Sequence, residues 1–352
     1  MNNSSLFLCR NATVISERKL ATMFYIHAVL AFGFIIFGLC GNLLAFIVLW
    51  REKQKTTTSL TLRALAVSDS IYLVCSLIFL SLPSMEKYNG QVGDSFLTDT
   101  YPQLMPFVKP MLYISQQISS WLVVLVTLDR FIVVCYPLKS FTYCTLNKAK
   151  KHIAAVYIVS VLYNIPRFFE LDIKQCYNIK LDKFVHEVHN YPWSYSTAYW
   201  IIYQIVLYFL TMYIVPMVVL GFVNTKLIIS LRAANRQRAQ ITGKEHDDNI
   251  SIMLVVVVFV FIACQTPDFL LQIFYFMTVV LSDATFVYEF NFFVYYLITA
   301  FLLVFNCSIN FIIYCICGKK FRKMMFKTIQ CQRQGHGDKS ESSHSHMRDS
   351  KC

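Results

Sequence analysis

Apolar residues along the chain fall into seven long runs rather than the narrow stripes of a water-soluble helix. Phe24–Trp50 contains no Asp, Glu, Lys or Arg, and Ala64–Ser84 contains only Asp69. Met111–Leu128 is again uncharged. His152–Pro166 is shorter and is bracketed by Lys151 and Arg167, whose charged ends can snorkel outward and lengthen the span. Tyr191–Thr225 is uncharged but longer than one crossing needs, so its beginning is expected outside the hydrocarbon. Asn249–Ser282 holds only Asp268, and Phe290–Gly318 holds no charge. A bilayer-spanning helix takes about 20 mostly apolar residues. The pattern therefore predicts an all-α membrane protein built as a seven-transmembrane helix bundle. Seven crossings place the two termini on opposite faces. No internal repeat or inverted half is visible, which argues against a transporter.

Composition agrees with the pattern. Of 352 residues 56% are hydrophobic and 15% charged, with a mean hydropathy of +0.50. Soluble domains sit near 45–50% apolar and about 25% charged, so the two soluble domains that length alone suggests are excluded. A net charge of +12 could suggest nucleic acid. Its placement says otherwise. Twenty-three of the 32 Lys and Arg flank one set of span ends, and nine lie on the other side. By the positive-inside rule the amino end is outside and the carboxyl end cytoplasmic. The basic excess orients the chain in its membrane and leaves the outer face slightly acidic; no nucleic-acid partner is expected.

The expected organisation is an extracellular tail over residues 1–22, the transmembrane domain over 23–318, an amphipathic helix over 319–330 and a disordered cytoplasmic tail over 331–352. Met1–Leu20 lacks the basic-then-apolar pattern of a cleavable signal. Asn2, Asn3 and Asn11 each stand in the Asn-x-Ser/Thr pattern, so glycosylation of the tail is expected. Basic and apolar clusters alternate from Gly318 to Lys327, which reads as an interfacial eighth helix on an anionic leaflet. Cys331 at its end is a palmitoylation candidate or an unmodified thiol. His344 and His346 form a lone pair in a solvated tail, so no transition-metal site is expected.

Charges inside a bilayer are expensive, and each is a functional-site hypothesis. Asp69 follows Leu65-Ala66 in the second span, and Asp129-Arg130-Phe131 closes the third. Gly41-Asn42 stands in the first, Pro216 in the fifth, and Cys264 with Pro267 in the sixth. Asn310-Phe311-Ile312-Ile313-Tyr314 stands in the seventh. In this order and spacing the chain resembles a class A (rhodopsin-like) G-protein-coupled receptor over nearly its whole length. Val133 to Lys139, Tyr143-Cys144-Thr145, and Asn164 to Glu170 are similar to FMRFamide-type neuropeptide receptors. The chain departs from the family pattern at Met105, where a disulfide cysteine is usual, and at Gln265, Asn224 and Phe311, which stand for Trp, Tyr and Pro.

The resemblance implies a receptor, not an enzyme, that meets an extracellular peptide on one side and a heterotrimeric G protein on the other. It implies that Asp69, Ser119, Asn306 and Asn310 form a polar core. That core either holds a sodium ion, the one cofactor expected, or is simply hydrogen-bonded; oxygen donors of these types suit a hard cation. Asp129, Arg130, Asp247 and Tyr314 would serve activation and G-protein coupling, with Arg130 latched by Asp129 and Asp247 at rest. Cys176 keeps its place in the second outer loop, and with Met105 unable to bridge, Cys9 is its expected partner; a free or intermolecular Cys176 stays open. Tail serines from Ser340 to Ser350 are candidate kinase sites for arrestin recruitment.

Leu112 stands where amine receptors carry an Asp, and no lysine in the seventh span could hold retinal. The expected ligand residues are Tyr113, Gln116 and Gln117 in the third span, Asp268 and Gln272 one turn apart in the sixth, and Glu289 at the mouth. The resemblance implies an Arg-Phe-amide peptide as the ligand, and a carboxylate at Asp268 would suit its guanidinium. Glu170 and other acids would add negative charge at the mouth. The alternative is a chemosensory receptor of the same fold for a small molecule or lipid.

Overall fold

The computed structural model describes residues 16–52, 55–89, 96–179, 181–196, 198–242, 249–281, 290–319 and 321–328. Among them are seven helices long and apolar enough to cross a bilayer. They are α1 (Glu17–Trp50), α2 (Thr57–Tyr88), α3 (Phe96–Cys135), α4 (Leu146–Phe169), α5 (Tyr199–Ala233), α6 (Ser251–Phe274) and α7 (Asn291–Cys317). The helix of α5 continues to Thr242. After α7 a short helix, α8, runs over residues 319–328, residue 320 excepted.

Several helices begin well before their apolar runs, and polar caps explain it. Thr56 and Ser59 form a reciprocal capping box that starts α2 at Thr57, seven residues before the apolar run at Ala64. The Ser16 side chain accepts from Lys19 N at 3.4 Å to start α1, and Thr145 accepts from Lys148 N at 3.4 Å to start α4. α5 starts at Tyr199, eight residues into its apolar run and after a single turn over Pro192–Tyr195.

The loop between α4 and α5 holds the one strand pair among the described residues. β1 (Leu171–Asn178) and β2 (Lys183–Asn190) pair antiparallel, in register from Leu171↔Asn190 to Asn178↔Lys183. Asp182 takes φ 49° at the turn, a conformation Asp tolerates. An all-helical chain is thus the right class for the bundle, with this hairpin added across one end.

The buried share differs among helices. In the most apolar window, α2 buries 56% of its residues and α4 only 17%. Hence α2 runs inside the bundle, while Ile158, Val159 and Leu162 of α4 stay exposed on a face suited to lipid. The largest apolar cluster joins Leu62, Leu122, Val126, Leu220, Leu254, Phe261 and Tyr314. α1 and α7 meet closely because α1 offers glycines. A Cβ on Gly38 would lie 2.5 Å from Ser308 Oγ, and one on Gly41 2.9 Å from Phe311 Cβ. Phe311, standing in the proline position, fills that seam. Phe321 of α8 packs edge-on against Tyr314 at 5.6 Å, and Arg322 donates to the Cys315 carbonyl at 2.9 Å, closing the end of α7.

Candidate functional site

A cavity of about 340 Å³ opens at the end of the bundle that carries the hairpin. Residues of α2 through α7 and of the hairpin segment line it, among them Tyr113, Gln116, Asp268 and Gln272. Four of the predicted ligand residues are therefore brought together. Gln117 is not: one residue on from Gln116 it turns 100° around the helix, and its Oε1 accepts from Asn164 Nδ2 at 2.6 Å in the α3–α4 seam. Glu289 lies outside the described residues.

The acids differ from their expected roles. Asp268 is buried, and Tyr213 of α5 donates its hydroxyl to Oδ2. That bond orients the carboxylate at the cavity wall. Glu170 is not a free charge at the mouth. It is 3% exposed and saturated: Lys109 donates to Oε2 at 3.0 Å, and Tyr199 and Gln204 donate to Oε1 at 2.7 and 2.5 Å.

Arg167 overturns its expected position. Instead of snorkelling from the end of α4 it is 1% exposed and lines the cavity. Its guanidinium lies 3.9 Å from the Tyr113 ring centroid, with the Tyr208 and Tyr203 rings at 5.2 and 5.3 Å. Nη1 stands 3.7 Å from Glu170 Oε1, and Nε donates to Asn164 Oδ1 at 3.1 Å. The physical reason is that the chain turns inward after Pro166 through a short 3-10 segment, Ile165–Phe169, and three rings and a carboxylate replace water around the cation.

A second polar site lies in mid-bundle. Ser119 donates to Asp69 Oδ1 at 2.7 Å, and Asn310 Nδ2 donates to Oδ2 at 2.7 Å. Asn306 is buried one helical turn before Asn310. The Cys307 thiol stands beside the carboxylate, and the Cys307 carbonyl accepts from Asn42 at 3.0 Å, tying in α1. The donor set, carboxylate, hydroxyl and amide oxygens, fits a hard cation.

At the opposite end Asp129 and Arg130 adjoin, with Arg130 Nε 4.0 Å from Asp129 Oδ2. Asp129 is held chiefly by α2. Thr57 donates to it at 2.8 Å and Thr58 at 3.1 Å, and Arg130 in turn donates to the Thr58 hydroxyl. Arg130 and Tyr314 line one shallow cavity there, with Phe321 and Met324 of α8. Asp247 lies outside the described residues, as do Cys9, Cys331 and Asn2, Asn3 and Asn11. Cys176 is fully buried and disulfide-bonded, and the other described cysteines are free.

Sequence reasoning missed Arg167, Tyr213, Thr57 and Thr58. Arg167 stands in the Asn164–Glu170 stretch that carries the resemblance, but nothing in that stretch marks it as buried. The two threonines carried no signal, since hydroxyls at a helix start are common.

The profile of the family described as 7 transmembrane receptor (rhodopsin family) matches residues 41–314. An FMRFamide receptor of Drosophila melanogaster is 29% identical over 290 residues, covering 82% of this chain and 51% of that protein. An FMRFamide peptide receptor of Caenorhabditis elegans is 26% identical over 298 residues, 83% of this chain and 66% of its own. Somatostatin receptor type 5 of Rattus norvegicus is 26% identical over 324 residues, 85% of this chain and 76% of its own. The chain spans about half the length of the insect relative and about two thirds of the nematode one.

Proposed function

The chain belongs to the rhodopsin family of seven-transmembrane receptors, and from that premise we propose that it is a plasma-membrane receptor for an extracellular Arg-Phe-amide neuropeptide. Its amino end is outside, and peptide binding activates a heterotrimeric G protein at the cytoplasmic end. The observation that carries the ligand class is the placement of Asp268. It is a buried carboxylate on the wall of an aromatic cavity, oriented by Tyr213 through one oxygen. A peptide guanidinium meets such a group through two parallel hydrogen bonds, and the phenyl of the last residue meets the tyrosine wall. The relatives named for FMRFamide support the same ligand class.

Asp69, Ser119, Asn306 and Asn310 would hold a sodium ion in the resting receptor, and Asp129, Arg130 and Tyr314 would pass activation to the G protein. Asp247 and Arg130 would form a latch, Cys9 would be the partner of Cys176, and Cys331 would carry a palmitoyl chain. Arrestin would read the phosphorylated tail.

The test is full-length receptor in cells with promiscuous G proteins, challenged with Phe-Met-Arg-Phe-amide and read by nucleotide exchange. A saturable response is expected. Silence toward amidated Arg-Phe peptides from receptor present at the surface overturns the ligand class.

A further inference from the structure

Arg167 is engaged by Asn164, Glu170 and three tyrosine rings, yet one of its nitrogens is left over. Nε goes to Asn164, Nη1 faces Glu170, and the plane stacks on Tyr113. Nη2 is buried with no hydrogen-bond partner among the described residues, although the residue lines the cavity. Leaving a charged donor unmatched costs more than leaving a neutral one. Glu170 does not absorb it, because Lys109, Tyr199 and Gln204 already occupy that carboxylate.

A second orphan donor stands on the adjoining wall. Gln116 Nε2 is likewise buried and without a partner among the described residues, and Gln116 lines the same cavity. It lies three residues from Tyr113, on the face of α3 against which Arg167 stacks. Asp268, the acceptor of the cavity, comes from α6. The cavity therefore has an acceptor side and a donor side, and both donors lack an oxygen.

We propose that Arg167 and Gln116 form an oxygen-binding subsite for the carbonyl of the peptide's C-terminal carboxamide. The proposal rests on the peptide-receptor reading and deepens it. Asp268 takes the guanidinium of the ligand, and Arg167 with Gln116 takes its terminal oxygen. The two ends of one Arg-Phe-amide unit are thus read by groups of opposite polarity. A terminal carboxylate would offer the same oxygen, and with Glu170 already paired to Lys109 the guanidinium does not reject it. The carboxamide is the form that the proposed ligand class carries.

The test compares three peptides on wild type, Arg167→Gln and Gln116→Leu, each with surface expression measured. They are Phe-Met-Arg-Phe-amide, its free acid, and Phe-Met-Arg-phenethylamide, which lacks the terminal carbonyl. On wild type the truncated peptide should lose about tenfold or more in potency, the scale of a charge-assisted hydrogen bond, and the free acid, which keeps a terminal oxygen, should exceed the truncated peptide. In Arg167→Gln the amide and the truncated peptide should become nearly equipotent, because the two losses are one interaction and do not add. A preserved potency ratio in Arg167→Gln means the residue only braces α4, and overturns the subsite while leaving the receptor reading intact. A free acid no more potent than the truncated peptide on wild type overturns an oxygen subsite at this wall. If Arg167→Gln fails to reach the surface, Gln116→Leu decides: a collapsed ratio supports the subsite and a preserved one overturns it. Wild type silent to all three peptides overturns the receptor reading and the subsite together.

Discussion

At the scale of single residues, the outer cavity and the mid-bundle core differ in what their carboxylates still have to offer. Asp268 receives one donor, from Tyr213, whereas Asp69 is bonded through both oxygens, to Ser119 and Asn310. Among the described residues Asp268 is thus the acid with an oxygen open toward the ligand cavity, whereas Asp69 faces only the mid-bundle core. Asp268→Asn should weaken Phe-Met-Arg-Phe-amide by about 10- to 100-fold, the range of a charge-assisted hydrogen bond, read as a shift in the exchange dose–response. An unshifted curve would remove the guanidinium contact. Asp69→Asn should abolish the effect of sodium on agonist affinity in binding measured with sodium against a large organic cation. A wild-type receptor that ignores sodium would leave the core a hydrogen-bonded one.

At the scale of helices, small and polar side chains decide which elements touch. The α1–α7 seam depends on two glycines. Gly38→Ala should lower the thermal unfolding midpoint in detergent through overpacking worth about 1–3 kcal/mol. Gly33→Ala, with nothing within 4 Å of its added Cβ, is the control and should not. The α2–α3 seam at the opposite end depends on hydroxyls. Thr57→Val removes a donor from Asp129 and frees Asp129 and Arg130 to rearrange, so basal nucleotide exchange should rise. A basal rate equal to wild type would show that Thr57 is merely packed there. Neither seam could be read from hydrophobic pattern, because a glycine or threonine shows no partner until the helices are placed.

At the scale of the whole molecule, charge asymmetry predicts the orientation, and in the proposed reading the hairpin end receives the ligand. An epitope joined before Met1 should label on intact cells, and one joined after Cys352 only after permeabilisation; the reverse pattern would invert the topology. The sequence by itself determined the seven crossings, their order and the sign of each face. Those properties follow from composition along the chain, as transfer into hydrocarbon is decided segment by segment. It also marked Asp69, Arg130 and Asp268, since an intramembrane charge stands out wherever it sits. Only the tertiary structure decided which polar groups remain open. Gln116 and Gln117 are neighbours in sequence, yet one lines the cavity and the other is held by Asn164 in a helix seam. Glu170 is neutralised by donors from α3, α4 and α5, and Arg167 points inward because three rings from α3 and α5 enclose it. A side chain's free valence is a property of its neighbours, and here those neighbours come from helices far apart in the chain.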